Sequence, residues 1–392
     1  MHDVVIVGAG PVGGALALAL ADADLDIVAL DARAAGGTLR GDRSLALSHG
    51  ARLIFERLAV WPHLAAMPGA VTPILEIDIS QAGGFGVTRL TAEEQGLPAL
   101  GYVVSYRALQ AAIDDALART RIDIRFGVTA ASVDGSPADV AIALKDDAGT
   151  PLRARLAVVA DGTGTAVAGI AREKRDYRQV ALIAKVGMQH PHGGVAFERF
   201  TSEGPMALLP EGEYLTEHET GHYGLVWTMT PEKAEAMLAA SDDKFLATLA
   251  HQFGARVTGF ASVADRRAFP LRLEFARSTV ATRTVVIGNA AQALHPIAGQ
   301  GFNLGVRDAY ELSRSIIRAP RDALGGATML AAFAARRRID RYAGIAFTHG
   351  LTKLFATDAA VLSWPRGVAL TLLDAMPPMK KAFTRAMLFG MS

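Results

Sequence analysis

The chain opens on a short, largely apolar run, Asp3 to Val7 (DVVIV), which gives way to glycine between Gly8 and Gly14. Strong helix formers follow from Ala15 to Ala23, and a second apolar run, Asp26 to Leu30, ends at Asp31. Strand, glycine turn, helix and strand in that order predict a βαβ unit with a parallel pair. Arg107 to Arg119 has Leu109, Ile113, Ala116 and Leu117 on one helical face. Ile122–Phe126, Val140–Leu144 and Leu152–Ala160 read as strands, the last running into Asp161 and Gly162. From about Tyr177 to Phe275 the character changes to short strand-like pieces divided by Gly, Pro and His loops. That is the pattern of an antiparallel sheet, interrupted by a helix near Pro231 to Ala239. Thr284 to Ile287 is again a buried-strand run, followed by a glycine turn and a helix from about Gly301. The last fifty or so residues are helix-like, with Pro365, Pro377 and Pro378 as breakers. The expectation is an α/β domain from 1–71, 97–175 and 276–345, an inserted antiparallel-sheet domain from 72–96 and 176–275, and a helical C-terminal region, 346–392.

At 392 residues the chain exceeds the roughly 250–300 that one core supports, in keeping with more than one domain. Its 51% apolar and 20% charged residues are those of a globular protein with a large core. A net charge of +1 gives no electrostatic case for nucleic-acid binding. The absence of cysteine excludes disulfides, thiolate nucleophiles and thiolate metal sites, and suits a cytoplasmic protein. Asp3, Gly8, Gly10 and Pro11 do not fit a secretory signal, and no run of about 18 uncharged apolar residues predicts a membrane span. The segment Met379 to Met391 is short, apolar and basic. It reads either as a docked helix or as a contact with a partner protein or a membrane surface, which would place the protein at the periphery of the inner membrane.

Gly8, Gly10 and Gly13 form G-x-G-x-x-G between a strand and a helix, answered by Asp31 at the end of the next strand. In that context the pattern is a dinucleotide fingerprint. Gly8 permits the tight turn, Gly10 the approach of a pyrophosphate, and Gly13 close packing of helix on strand. The intervening Pro11 and Val12, and the stretch Asp31-Ala32-Arg33, are the neighbouring candidate contacts. FAD and NAD both fit this motif, and Arg33 admits NADP.

Two later features bear on that choice. One is the strand end Asp161-Gly162. The other is the run from Gly288 and Asn289 through His295 and Pro296 to Gly299-Gln300-Gly301-Phe302-Asn303, which precedes a helix and aims backbone N–H groups at an electron-rich ligand. With Arg43 (in RSLALS) and Arg107, these motifs resemble the class A flavoprotein monooxygenases, the group of para-hydroxybenzoate hydroxylase. The wording from Asn289 to Leu304, with Gly204–Pro210 and Phe269-Pro270-Leu271, resembles the ubiquinone-biosynthesis hydroxylases, and the likeness spans nearly the whole chain. It departs from the family pattern at Thr165, at Val167-Ala168, and at Gln292, where the family has His.

The resemblance implies FAD held by Gly8, Gly10, Gly13, Asp31, Arg43, Arg107, Asp161, Gly162, Gly288, Asn289, Pro296, Gly299, Gln300, Gly301, Phe302 and Asn303. NAD(P)H or another donor would be the reductant. It further implies hydroxylation, by O2 and through a flavin hydroperoxide, of the aromatic ring of a lipophilic polyprenylated phenol or quinol, with a ubiquinone-biosynthesis complex as partner. The cofactor carries the hard step, which agrees with the absence of G-x-S-x-G and H-E-x-x-H signatures. His295 is the candidate acid–base residue, beside a plain structural role ordering its loop. His190 and His192 read as loop residues, and no metal site is expected. Phe197, Phe200, Met206, Leu208 and Trp227 are core candidates, of which a minority would line an apolar channel. The rivals are a flavin hydroxylase for another phenol, a geranylgeranyl-type flavin reductase, an NADP-dependent dehydrogenase and a non-catalytic flavin-binding subunit.

Overall fold

In the computed structural model, which describes residues 1–37, 43–84, 86–145, 149–162, 164–212, 221–294, 299–355 and 360–390, the first apolar run forms the strand His2–Val7. It pairs in parallel with Ile27–Asp31 on one side and Leu152–Val159 on the other. Asp123–Phe126 and Thr284–Val286 extend the sheet in parallel at its two flanks. Ala130–Gly135 and Val140–Leu144 add antiparallel strands. In the centre of this sheet residues 4–7, 27–30 and 156–159 lie buried between layers and are apolar without alternation, whereas the edge strand Asp123–Phe126 is partly exposed.

Helices Pro11–Ala19, Tyr106–Leu117 and Gln300–Arg318 pack over this sheet in the largest core. Pro11 stands in the first turn, where its missing N–H removes no helix bond. Gly14 lets two helices meet, since a β-carbon there would lie 2.5 Å from the Ile113 Cγ2.

The second sheet runs, edge to edge, Gln292–Ala293, Phe260–Ala276, Arg172–Met188, His222–Met229, Gly204–Glu211, Val195–Thr201, Glu76–Gln81, Val87–Thr91. Its pairs are antiparallel except Val195–Thr201 with Glu76–Gln81. Strand alternation gives it two faces. Leu182, Val186, Met206, Leu208, Leu225 and Trp227 pack under helices Pro231–Ala239 and Asp242–Phe253. The intervening positions, including Ala181, Ile183, Lys185, Ala207, Leu209 and Glu211, face a cavity. Only the first of those two helices follows from the pattern above. The second begins at Ser241, whose hydroxyl accepts from the Lys244 N–H, with Asp242 and Asp243 in its first turn.

A small sheet, Ser44–Ser48, Gly101–Ser105 and Val71–Ile74, bridges the two layers. The chain ends in helices Ala327–Phe355, Ala360–Ala375 and Pro377–Phe389. Pro365 is a correction to the sequence reading: it does not break its helix, which runs on to Ala375. One proline inside a helix removes a single backbone bond and can be carried where the rest of the helix is packed. Pro377 and Pro378 do mark a boundary, standing in the first turn of the last helix. That helix is docked, with Lys380, Thr384 and Leu388 buried at four-residue spacing. Among the described residues no helix is long and apolar enough to cross a membrane.

Candidate active site

The glycine fingerprint takes the shape its spacing requires. Gly8 has φ +97° and lies against the strand end of the second motif, where a β-carbon would stand 2.7 Å from the Asp161 Cα. A β-carbon on Gly13 would collide with the Gly8 carbonyl, which is the close helix–strand packing expected of it. Gly10 is different. It caps the helix Pro11–Ala19 in extended conformation, no side chain caps it, and a β-carbon would meet nothing within 4 Å. Space and free helix N–H groups therefore coincide at Gly10, the arrangement that receives a pyrophosphate.

Asp31 is buried and its carboxylate is already engaged by its neighbour. Oδ1 accepts from the Arg33 N–H at 2.8 Å and from Nε at 3.1 Å, and Oδ2 from the guanidinium at 3.0 Å. The same guanidinium reaches Asp114 at 3.0 Å and lies over the Phe126 ring. Arg33 is thus neutralised by two carboxylates, which leaves little positive charge for the 2′-phosphate of NADP. Ala32 between them is exposed. Gln110 donates to the Ala9 carbonyl at 3.1 Å and so braces the turn from the helix beneath.

Thr165, one of the departures from the family pattern, donates from its hydroxyl to Asp161 Oδ2 at 2.6 Å and so fixes that carboxylate. Gly162 follows at φ +91° with open space around it. Gly288 joins the first motif to the third, since a β-carbon there would lie 3.2 Å from Val12 Cγ1 and Gly305 approaches from beyond. Asn289 is exposed beside it.

Gly299, in left-handed conformation, caps the helix Gln300–Arg318 without a side-chain cap. Its position is set by Asn303, whose amide donates to the Gly299 and Ala46 carbonyls at 3.0 Å and accepts from the Ser48 N–H at 2.9 Å. With three bonds inside the protein, Asn303 pins the glycine run to the strand Ser44–Ser48. Arg43 is exposed, its guanidinium 4.7 Å from the centre of the Tyr106 ring, and Arg107 is exposed on the next residue. His295 and Pro296 lie outside the described residues.

Of these parts, Arg43, Asn289 and the run Gly299 to Asn303 line a cavity of about 630 Å³. One wall is Arg43 to Ser48, Asn289 and Gly299 to Asn303; the other is the inner face of the large sheet. Of the five aromatic and apolar candidates there, Phe197 lines the cavity, while Met206, Leu208 and Trp227 lie in the core behind it and Phe200 in a separate cluster. Met387 and Leu388 of the last helix close one side. His192 is buried against Tyr223, and its Nδ1 accepts from the Gly194 N–H at 3.0 Å. Burial and the neighbouring His222 hold its pKa down. Among the described residues, no group of three His, Cys, Asp or Glu side chains is arranged to hold a metal ion.

Sequence reasoning did not find the buried polar network behind this cavity. Arg337 donates to Asp308 at 2.7 Å and to Asp340 at 2.6 Å, and Arg307 to Asp340 at 2.9 Å. Gln292, at the second departure, donates to Asp308 and accepts from Arg341, both at 3.1 Å. A neutral amide can both give and take, so it links a carboxylate to a guanidinium here without adding charge. The polar spacing Arg307-Asp308 and Arg337, Asp340, Arg341 was the available signal, but it reads equally as a solvated helix face.

Two uncapped helix starts packed on an α/β sheet, the second of them lining a cavity, are the features of a dinucleotide-binding flavoprotein. The FAD binding domain family model matches residues 1–341. The ubiquinone hydroxylase UbiL of Rhodospirillum rubrum is 32% identical over 98% of this chain and 88% of its own length. The 3-demethoxyubiquinol 3-hydroxylase of Escherichia coli is 30% identical over 81% of this chain and 80% of its own. In fold, the chain is similar to the p-nitrophenol 4-monooxygenase PnpA of Pseudomonas putida, with TM-score 0.77, 16% identity, and 100% and 99% of the two chains covered. The chain belongs to the FAD-binding aromatic monooxygenases, in the branch of the ubiquinone hydroxylases.

Proposed function

We propose that this protein hydroxylates the aromatic ring of a polyprenylated phenol or quinol of ubiquinone biosynthesis, using FAD, O2 and NAD(P)H. The observation that carries this is the cavity walled on one side by Gly299–Asn303 and on the other by a sheet face of mostly aliphatic side chains. Its volume lies within the range of small-molecule sites, and its lining suits an aromatic ring with a branched aliphatic tail.

Bound FAD would supply electron transfer and the activation of O2. Gly8, Gly10, Pro11, Val12 and Gly13 would receive the pyrophosphate at the first helix start, with Asp31, Ala32 and Arg33 at the ribose. Asp161, Gly162, Gly288 and Asn289 would hold the middle of the cofactor. Arg43, Arg107 and the run Pro296 to Asn303 would frame the ring system. The residues fit: Gly10 offers unfilled space, and both helix starts keep their N–H groups free of side-chain caps. The chain's own contribution to chemistry is to orient the substrate ring and exclude water through the cavity walls.

The last two helices offer a contact with the membrane that holds such a substrate. Leu372, Met376 and Met379 are exposed, beside exposed Lys381 and Arg385. An apolar patch with basic neighbours suits an anionic lipid surface. The test of the function is NAD(P)H consumption by FAD-loaded protein, which should rise on adding a prenylated phenol. Consumption indifferent to any prenylated phenol, with stimulation by a short aromatic acid, would transfer the reading to another phenolic substrate.

A further inference from the structure

We propose that Glu211 receives the ring hydroxyl of the substrate, an inference that rests on the function proposed above. Glu211 ends the strand Gly204–Glu211 and lines the cavity. Its carboxylate is held by two donors from different parts of the fold. The Ser44 hydroxyl donates to Oε1, and the Lys185 ammonium lies 3.0 Å from Oε2. A carboxylate has about four acceptor positions, so two remain for a ligand. The side chain is 13% exposed, and the cavity is the space it faces.

The sheet is shaped around this carboxylate. Gly224 stands opposite both Lys185 and Leu209 in the neighbouring strands. A β-carbon on Gly224 would collide with Glu211 Oε1 and crowd Ser44 Oγ at 3.1 Å. Glycine within a strand weakens it and marks the close approach of another group; here that group is the Glu211 carboxylate. Two other acids line the cavity: Asp265 is exposed, and the half-buried Glu198 of the strand Val195–Thr201 is engaged in an interaction of its own.

The carboxylate is also fixed relative to the cofactor wall. Ser44 begins the strand whose Ala46 carbonyl accepts from Asn303, the residue that pins Gly299. Two residues along a strand span roughly 7 Å, about the reach of one substituted ring. A phenol donating to Glu211 would therefore present its ring towards Gly299–Asn303. Accepting that hydrogen bond raises the electron density of the ring at the carbons that take up oxygen. Glu211 is thus a catalytic residue that touches the substrate, while Ser44 and Lys185 position it.

The test compares binding of 2-geranylphenol and its methyl ether, 2-geranylanisole, to FAD-loaded protein by titration calorimetry. The ether keeps ring and tail but has no proton to give. The wild type should bind the phenol about tenfold or more tighter, the effect of a hydrogen bond to a charged acceptor. Glu211→Gln, which keeps a neutral acceptor but loses the charge, should cut that preference severalfold while ether affinity and FAD content stay as they are. Ser44→Ala should reduce the preference in part, and it carries the test if Glu211→Gln does not fold. A preference unchanged in both variants, or absent in the wild type, overturns the role of Glu211 and leaves the proposed function standing. Failure of the FAD-loaded wild type to bind either compound overturns the function itself, and this inference with it.

Discussion

Gly8 and Asp161 are packed so closely that a β-carbon on Gly8 would lie 2.7 Å from the Asp161 Cα. Two motifs some 150 residues apart in sequence are thereby one structural unit, because the strands that carry them, His2–Val7 and Leu152–Val159, are parallel neighbours in register from Val4 with Leu156 to Val7 with Val159. Gly8→Ala adds that clash to a left-handed φ of +97°. The expected result is a loss of at least about 1–3 kcal/mol in urea unfolding, together with loss of FAD.

Gly10→Ser separates cofactor binding from folding. The Gly10 backbone is extended, and the space around it is open. A serine hydroxyl there would cap the helix, so apo-protein stability should hold or rise by roughly a few tenths of a kcal/mol. The same side chain would occupy the space offered to the pyrophosphate, and FAD retention should fall. Melting of the apo-protein, with flavin content measured in parallel, checks both outcomes.

The Arg337 guanidinium is buried between Asp308 and Asp340. Arg337→Met would leave two carboxylates facing each other without their shared cation. A loss of about 3–5 kcal/mol is expected in chemical denaturation, the cost of breaking a buried pair from one side. Adding Asp308→Asn to that variant should restore part of the stability, since one stranded charge is then removed.

Asp3 makes a pH-dependent contribution. Burial opposes its ionisation, but the hydrogen bonds from Arg321 and the Asp26 N–H, with the charges of Arg321 and Arg155, hold its pKa below the usual carboxylate value. A depressed pKa means that the unfolded chain binds the proton more readily. The stabilisation is therefore complete above roughly pH 4 and is lost as pH falls through the folded pKa. Asp3→Asn should flatten the acid side of the stability–pH curve and lower stability at neutral pH.

Gly50 supports the last helix. A β-carbon there would lie 2.7 Å from the Leu388 carbonyl, and Leu388 with Met387 walls the cavity. Gly50→Val should unseat that helix, leave FAD content unchanged and raise the KM for a prenylated phenol about tenfold, in line with losing one buried apolar side chain from the wall.

The parallel strands were legible because fully buried strands are continuous apolar runs, as at Ile27–Asp31, and the antiparallel strand Val140–Leu144 also falls where the pattern sets it. The fingerprint was legible because glycine spacing is dictated by backbone clearance. Helix ends were less so: the first helix stops at Ala19, although the helix formers continue to Ala23. Helix Asp242–Phe253 escaped because its capping signal sits directly behind another helix. Glu211, Ser44 and Lys185 were invisible as a group, since three strands from two sheets bring them together and no local spacing links them. The network around Gln292 was hidden for a related reason. Charged residues on a helix read as solvent-facing until a second helix covers them.

FAD-dependent transfer of oxygen from O2 to a prenylated phenol is read most directly from the mass of the product formed under 18O2. FAD-loaded protein, NAD(P)H and a polyprenylated phenol should yield a product heavier by one oxygen atom that carries the 18O label on its ring. An unlabelled ring, or a phenol recovered unchanged while NAD(P)H is consumed, would mean that the protein does not hydroxylate this substrate.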